Sequence, residues 1–519
     1  MLNRILLCLV AVVGAAHVAS AETYYIDGDC EKNGNGLADS CAAGTGTSGQ
    51  FNDLQSFLNM CAPGDVGVLH AKRGDYVTTF GTGSDTSEDA GYHFECSGTS
   101  DAWVTIENAP GEFPVIRNCP ATATTQNACN RDTITANGRN FIKITDDDAD
   151  YANGHIIVFG RIHLAGCESY PPTTASEMAG PIEVSYTEIN RGYDETDSGN
   201  WAGIWNICHT GSLIHHNFIT LSKPTGAGQQ SSASCVSQYF GVGGTIEHNT
   251  CNLDPNSQFP ESHSGCFDDK VVASRNTYRF NRCYNATRFG RFAEGNYCKV
   301  EGVECFLKNG EVYGNLAYRG SYRGPNRPAL QISEGLGGMS GGGVDGLDIY
   351  NNTWVGFGGC YYVLPQANGS HAAGLKNVRI YNNLCANIAN DSSDDADIVL
   401  WWADTRDKPA RFSYECHDAS IGDSTIYRVG STSYSKFAAF QGAGYGAGIV
   451  RTNSYGFVNA ARGDFGLSGG PCVGMGHVGG VESGAKVDAG FTGVGRCVGH
   501  ECGPAASVTT SPPTVQKTR

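Results

Sequence analysis

The sequence predicts an all-β protein built as a right-handed parallel β-helix, a solenoid with an N-terminal cap and extended loops. Three observations predict this fold. A short phrase recurs at near-constant spacing, glycine accounts for 70 of the 519 residues, and long amphipathic helical stretches are hard to find. The glycine share is well above the usual ~7%, which suits a chain that turns often.

The recurring phrase is a short alternating strand that ends in asparagine and continues into a second apolar pair. A weaker earlier copy ends at Asn190. Stacked as rungs, these units would align their asparagines in a hydrogen-bonded ladder, with each asparagine at a tight bend. The copies are LIHHNFI, TIEHNTC, YRFNRCY, EVYGNLA, DIYNNTW and RIYNNLC, and their asparagines are Asn217, Asn249, Asn281, Asn315, Asn352 and Asn383.

The spacing of the copies, 31 to 37 residues, also sets the size of the loops. A rung takes only about two dozen residues, so loops extend from most rungs and would form the walls of a groove. A β-propeller is the alternative for a repeat of this length. Four strands per blade do not fit into 31 or 32 residues with loops, and no Trp-Asp signature is present, so the spacing favours the β-helix.

The N-terminus has the pattern of a secretory signal peptide, residues 1–21. Arg4 precedes an apolar core from Ile5 to Val13, and Ala19, Ser20 and Ala21 form a small-residue cleavage site. Of 21 cysteines, one lies in this segment, and the remaining even number is typical of disulfides in an exported protein. We therefore expect a secreted monomer, extracellular or periplasmic, with no membrane span.

The rest of the chain divides by composition. Residues 22–75 are predicted to form the cap and first rungs, with one helix between Phe51 and Cys61 whose apolar residues recur at helical spacing. The β-helix is predicted for residues 76–482. A Gly/Cys-rich segment, 483–503, and a Ser/Thr/Pro-rich disordered tail, 504–519, follow.

One pair of cysteines tests the register of the rungs. Cys251 and Cys283 each lie two residues after a ladder asparagine. In stacked rungs they would be neighbours roughly 4.8 Å apart, a Cα separation that a disulfide allows. The sequence predicts either a disulfide or direct stacking of these two residues.

Charge is distributed unevenly along the chain. There are 52 acidic and 35 basic residues, yet the stretch from Lys270 to Arg291 holds six basic residues and no acidic one. Arg319 and Arg323 follow about one rung later, and His263 lies just before the stretch. A basic groove in an acidic protein favours a polyanionic ligand. Export and global acidity argue against nucleic acid, so we expect Arg319, Arg323 and His263 to bind an acidic polysaccharide, with His263 as a possible base.

The same stretch carries a resemblance to a known group. With the early segment SGTSDAWVTIENAPGEFPVI, it resembles pectate-lyase-like right-handed β-helix proteins and, more weakly, the chondroitinase-B and alginate-lyase family of polysaccharide lyases. The resemblance implies that Lys270 is the base, that Arg288 assists the leaving oxygen with Arg291 as the fallback, and that Asp268 and Asp269 hold a calcium ion. The family's glutamates are aspartates here.

Three functions are compatible with these residues. The first is a lyase that cleaves a uronate-containing glycan by β-elimination, which needs a base at the carbon beside the carboxylate and a group that neutralises the carboxylate. The second is a glycoside hydrolase with Asp268 or Asp269 as general acid. The third is a non-catalytic glycan-binding or adhesive protein. Strand alternation puts Asp268 and Lys270 on one face and Asp269 on the other.

Overall fold

The computed structural model describes residues 21–71, 75–77, 91–118, 132–167, 177–191, 201–222, 233–253, 265–270, 274–293, 306–319, 328–333, 343–364, 375–388, 398–399, 411–419, 427–429, 432–460, 464–474, 476–477 and 486–487. In these ranges the regular structure is almost entirely β-strand, with two short helices, α1 (Leu54–Met60) and α2 (Phe437–Gly442). No helix in the described ranges has the length and apolar character needed to cross a membrane.

Three 12-stranded sheets, here named A, B and C, run side by side along the molecule, and the chain visits them in that order at each coil. Sheet A contains β1 (Thr23–Ile26), β2 (Val66–Leu69), β5 (Val104–Asn108), β8 (Ile142–Ile144), β11 (Ile182–Ser185), β14 (Leu213–His215), β17 (Thr245–Glu247), β20 (Thr277–Arg279), β23 (Phe306–Tyr313), β26 (Gly343–Tyr350), β29 (Leu375–Tyr381) and β32 (Arg411–Ser413). Sheet B contains β3 (Tyr76–Val77), β6 (Val115–Arg117), β9 (Ile157–Phe159), β12 (Glu188–Arg191), β15 (Phe218–Leu221), β18 (Thr250–Leu253), β21 (Arg282–Tyr284), β24 (Leu316–Tyr318), β27 (Thr353–Val355), β30 (Leu384–Ala386), β33 (Cys416–Asp418) and β36 (Val450–Thr452). Sheet C contains β4 (Tyr92–His93), β7 (Asp132–Thr135), β10 (Arg161–Ala165), β13 (Trp201–Ile207), β16 (Ala233–Tyr239), β19 (Phe267–Lys270), β22 (Gly290–Ala293), β25 (Pro328–Ser333), β28 (Gly359–Leu364), β31 (Ile398–Val399), β34 (Tyr427–Val429) and β35 (Thr432–Tyr434).

Within the three sheets the described strands pair in parallel, except for the pair β34 and β35. One contiguous core of buried side chains extends from Tyr24 to Ile449 along the inside of the coil. Alternate residues of each strand face that core, and the residues between them face outward. The molecule is therefore the right-handed parallel β-helix that the sequence predicts.

The C-terminal part of the described chain changes its type of strand pairing. Among the described strands, β36 is the last that pairs in parallel. Two antiparallel hairpins follow, β37 (Phe457–Asn459) with β38 (Asp464–Leu467), and β39 (Gly476–His477) with β40 (Lys486–Val487).

At the N-terminal end, β1 already pairs in parallel with β2, so the first rung begins at Thr23. The predicted helix is confirmed as α1, which starts three residues later than the pattern indicated. Leu54, Phe57 and Leu58 are buried in the core, and Phe57 contacts Gly67 of β2. The helix thus covers apolar surface that an end rung would otherwise leave exposed.

The predicted asparagine ladder is present. Each member donates its backbone N–H and its side-chain amide to Oδ1 of the next, as in Asn249 to Asn281 at 3.0 and 3.1 Å. The ladder starts at Thr187 and ends at Glu415. The weaker copy assigned to Asn190 is wrong, because Thr187 occupies the ladder position and Asn190 lies three residues further on, in β12.

The left-handed bend is one residue away from where the sequence placed it. The residue before each ladder asparagine has the positive φ, for example His216 and His248 at 55° and 54°. Such angles cost energy for residues with side chains. Ring stacking offsets the cost, since the centroids of Tyr186 and His216 are 4.8 Å apart and those of His216 and His248 are 4.7 Å apart.

The cysteine test of the register is confirmed as direct stacking. Cys251 and Cys283 are register partners in β18 and β21. They are not bonded to each other, and each forms a disulfide with a cysteine 16 or 17 residues earlier in the chain. Seven disulfides lie in the described residues: Cys30–Cys41, Cys61–Cys96, Cys167–Cys208, Cys235–Cys251, Cys266–Cys283, Cys360–Cys385 and Cys416–Cys472.

Candidate functional site on the outer face of sheet C

Strand β19 carries both aspartates singled out in the sequence, and its pleat sends them to opposite faces. Phe267 belongs to the core, so Asp269, two residues on, also faces inward, while Asp268 faces outward. The structure therefore does not bring the two carboxylates together on one face.

On the outer face, Asp268 forms a forked ion pair with Arg291, its register partner in β22. Arg291 Nε lies 3.1 Å from Oδ1, and a terminal guanidinium nitrogen lies 3.2 Å from Oδ2. Both side chains are 2% exposed. The charges satisfy each other in a buried site, where removing either would leave an uncompensated charge.

On the inner face, Asp269 accepts from Asn276 Nδ2, which lies 3.2 Å from each carboxylate oxygen. Burial raises the pKa of Asp269 to about 8, and the hydrogen bond from Asn276 only partly opposes this shift. The carboxyl is therefore largely neutral near pH 7. Its register partner is Gln238, which in turn pairs with Asn206, so the interior here is a short polar column.

These two residues do not fit the expected calcium ion. Calcium binds several ionised or carbonyl oxygens around one point. Asp268 has both oxygens on Arg291, and Asp269 is an inward, largely neutral acid. Nothing in the described residues tests a calcium site elsewhere, and the ion stays a prediction.

The other residues predicted for the site lie in different places. Lys270 is described by its backbone only, which pairs with Tyr239 and Ala293. Arg288 is buried in the turn before β22. Arg319 follows β24 in sheet B, so it is not on the strand face that carries Arg291. His263 and Arg323 lie outside the described residues.

A row of outward residues, one per strand, crosses sheet C, and we call it the outer row. Neighbouring members are register partners, so they repeat at roughly 4.8 Å. Most residues on either side of them belong to the apolar core, and Asn206, Gln238 and Asp269 form the inward polar column described above. The outer row consists of Thr135, His163, Trp205, Ser237, Asp268, Arg291, Gln331 and Tyr362.

Near its N-terminal end the outer row adjoins an ion-paired carboxylate. Asp132 opens β7 and accepts hydrogen bonds from Nε and a terminal nitrogen of Arg161, the latter at 2.8 Å. His163 Nδ1 lies 2.9 Å from Asp132 Oδ2. Burial alone would raise the pKa of Asp132, but the Arg161 guanidinium and the hydrogen bonds from His163 and Arg161 outweigh it and hold the pKa well below its usual range. Asp132 is therefore an ionised acceptor, and Nδ1 of His163 carries a proton.

The second nitrogen of His163 has no such partner. Nε2 is buried and makes no hydrogen bond within the described part of the chain. The imidazole stacks on Trp205, with ring centroids 4.9 Å apart, and Arg161 Cζ lies 4.6 Å from the Trp205 ring. By contrast, His155 is equally buried but uses both ring nitrogens, on Tyr151 and Glu188. His163 is thus the histidine of this pair with an unused lone pair.

Sequence reasoning missed this cluster. Asp132, Arg161 and His163 are split between two strands, β7 and β10, and the rest of a coil with β8 and β9 lies between them, so the sequence does not show their pairing. The pattern R-I-H in β10, alternating around a core isoleucine, is the one local signal that Arg161 and His163 share the outer face.

Comparison with known proteins adds the following. No protein-family model matches the chain, and no curated protein matches it. Similar solved structures include pectate lyase Pel9A (10% identity, TM-score 0.43, 92% of this chain and 97% of that one), XylC in complex with xylose (9%, 0.41, 82% and 86%) and an alginate lyase from Paenibacillus sp. str. FPU-7 (14%, 0.31, 62% and 94%). Similarities this low identify neither a substrate nor a functional residue of this chain. The fold assignment rests on the strand pairing of the structure itself.

Proposed function

We propose that the protein is a secreted polysaccharide lyase that cleaves an acidic, uronate-containing glycan by β-elimination, with the glycan lying along the outer row. The observation that supports the proposal is the outer row itself. It places polar or aromatic side chains on eight successive strands of sheet C, and two of them, Trp205 and Tyr362, are partly exposed while the others are buried. A ligand that contacts both exposed members spans several rungs, so it is a polymer rather than a small molecule.

The chemistry of the outer row suits an acidic sugar chain. Trp205 provides a flat aromatic surface, and Arg161 and His163, which pack against it, supply cationic or hydrogen-bonding nitrogens. Trp205 and Tyr362 are partly exposed, whereas the residues between them are buried. We expect the glycan to reach the row beside these two aromatic residues.

Elimination is favoured over hydrolysis by the state of the carboxylates. An inverting hydrolase needs two accessible carboxyl groups roughly 6.5 to 9.5 Å apart. Asp269 faces the interior, and Asp268 and Asp132 each hold an arginine. Elimination instead requires a base beside the uronate carboxylate. Lys270, the base implied by the resemblance, and His163 are two candidates on sheet C.

Secretion is part of the proposal. The disulfides of the described residues require an oxidising compartment, and an acidic polysaccharide is an extracellular substrate. The signal-like segment at residues 1–21 agrees with export.

The test is incubation of the wild-type protein with alginate, polygalacturonate and glycosaminoglycans, followed by ultraviolet absorbance of unsaturated uronates. We expect absorbance to rise with one of these substrates and Trp205→Ala to slow the rise at least tenfold. Trp103→Ala is the matched control, because Trp103 packs on Phe141 away from the outer row. New reducing ends without absorbance would favour a hydrolase, and glycan binding without cleavage would favour the non-catalytic protein.

A further inference from the structure

The pair formed by Asp132 and His163 has the geometry of a proton-transfer device. A carboxylate that accepts from Nδ1–H fixes the tautomer of an imidazole, so that Nε2 presents its lone pair on the opposite side of the ring. Here the carboxylate is ionised, the Nδ1 contact is 2.9 Å, and His163 is 1% exposed.

We propose that His163 is the group that moves the proton in the elimination reaction, and that Asp132 is the residue that positions it. The inference rests on the proposed lyase function and names the base within the same site. The resemblance implied Lys270 for this role.

The unused nitrogen marks His163 as a candidate base only together with the carboxylate at its Nδ1. His209 and His417 also have a buried Nε2 without a hydrogen bond among the described residues, but their Nδ1 atoms face a backbone carbonyl and a tyrosine hydroxyl. A buried polar atom without a partner costs roughly 1–3 kcal/mol, so native proteins leave few of them. His155 shows that a buried histidine in this fold can satisfy both nitrogens. A substrate that approaches Nε2 of His163 would remove the cost.

Other outer-row members are less suited to the role. Arg291 is held by Asp268, the Thr135 hydroxyl contacts His93 Nδ1, and Ser237 shares a hydrogen bond with Ser234 at 2.6 Å. None of these three side chains is a general base with a lone pair available to a substrate. His163 has one, next to the partly exposed Trp205.

Trp205 contributes a second feature of the same site. Its indole N–H is buried and makes no hydrogen bond to any described residue. It lies against His163, so one substrate group can meet the imidazole while a carboxylate or hydroxyl oxygen of the same sugar accepts from the indole. A donor at the carboxylate stabilises the negative charge that develops there.

The step balances without a further reactant. His163 Nε2 takes the proton from the carbon that bears the uronate carboxylate. The electron pair of that C–H bond forms the new C=C bond, and the C–O bond to the leaving sugar breaks with its pair on oxygen. The imidazolium then returns the proton to that oxygen, which leaves a new hydroxyl on one fragment and the unsaturated uronate on the other.

The experiment compares His163→Gln, Lys270→Ala and the control His155→Gln on the substrate that wild type cleaves. We expect His163→Gln to lower kcat at least 100-fold, as loss of a general base does, and to lower it more than Lys270→Ala does, while the control His155→Gln stays within tenfold. In His163→Gly, added imidazole should restore part of the rate, which a purely structural role would not allow. Thermal unfolding confirms that each variant is folded.

Asp132→Asn could lower activity either by misplacing His163 or by destabilising the fold, because it leaves Arg161 buried without its charge partner. The double variant Asp132→Asn with Arg161→Met removes that problem. We expect kcat to fall in both variants. KM should change little in Asp132→Asn, because Trp205 and Arg161 remain, and should rise in the double variant, which also loses Arg161 from the sugar-binding surface.

The outcomes separate the two proposals. A wild-type protein that yields no unsaturated product overturns the lyase function and this inference together. Product from wild type with an undiminished, folded His163→Gln variant overturns the inference alone. Loss of activity in Lys270→Ala but not in His163→Gln would assign the base to Lys270.

Discussion

Asn383 donates its backbone N–H and its side-chain amide to the same oxygen of Glu415, both at 2.9 Å. Glu415 is fully buried, and its other oxygen accepts from the Tyr361 hydroxyl at 2.7 Å. The asparagine ladder therefore ends on a carboxylate, which can accept from all three donors at once.

Removing that carboxylate should destabilise the C-terminal rungs. Glu415→Ala removes the acceptor of the Asn383 backbone N–H and of the Tyr361 hydroxyl, while the Asn383 amide still donates to the carbonyl oxygens of Ile349 and Tyr381. We expect the free energy of unfolding to fall by roughly 2 kcal/mol or more. Glu415→Gln retains an acceptor for Asn383 and should cost less. Urea unfolding measures both, with the exposed Glu31→Ala as control. Equal effects of Glu415→Ala and Glu31→Ala would contradict the ladder's role.

The ladder was predictable because its signal is local and repeats at constant spacing. Asn249 and Asn281 each follow an alternating strand, so their alignment needs only the period. Its two ends were not predictable, since Thr187 and Glu415 make the same hydrogen bonds with different side chains. The position of the positive φ angle at each bend was also not predicted. It was expected at the ladder asparagine, but the preceding residue adopts it, for example His216, where aromatic stacking supports the left-handed conformation.

The disulfide connectivity is a separate prediction, because the register of the strands does not show which cysteines are bonded. Cys251 and Cys283 are stacked neighbours, yet the bonds run from Cys251 to Cys235 and from Cys283 to Cys266. Peptide mapping of the unreduced protein should recover these two links. Recovery of a Cys251–Cys283 peptide would contradict the structure. Replacing Cys266 and Cys283 by alanine should lower the free energy of unfolding by about 3 kcal/mol, given the 17-residue separation.

The ion pair of Asp268 and Arg291 should behave as a unit. Asp268→Asn leaves a buried guanidinium uncompensated, and we expect a loss of roughly 3–5 kcal/mol in the free energy of unfolding. The double variant Asp268→Leu with Arg291→Met removes both charges and should recover most of that loss. A double-mutant cycle in denaturant measures the coupling. Additive losses would show that the two side chains are independent.

The titration of Asp269 should make the free energy of unfolding fall as pH rises. Its pKa is about 8 in the folded protein and about 3.9 in an unfolded chain. Between these values the folded state binds the extra proton, so its stabilising effect is complete below about pH 4 and is lost as pH rises through 8. The total is on the order of 5 kcal/mol or less. Asp269→Asn should flatten this limb in unfolding curves from pH 5 to 9, and an unchanged slope would show that another group is responsible.

The candidate site was only partly accessible from the sequence. The opposite faces of Asp268 and Asp269 follow from strand alternation, and the structure agrees. The partnership of Asp268 with Arg291 depends on how many residues the intervening loops take up, which periodicity does not give. The same holds for Asp132 and His163, whose strands are joined by a connection of a different length. The outer row can be identified only from the strand pairing, because composition does not show which residues are register partners.

The most direct test of the lyase proposal is the mass balance of the products. Elimination adds no water, so the masses of the two fragments from a defined uronate oligosaccharide should sum to the mass of the substrate. One fragment should carry the double bond. Fragments whose masses sum to substrate plus one water molecule would mean hydrolysis and would contradict the proposed function.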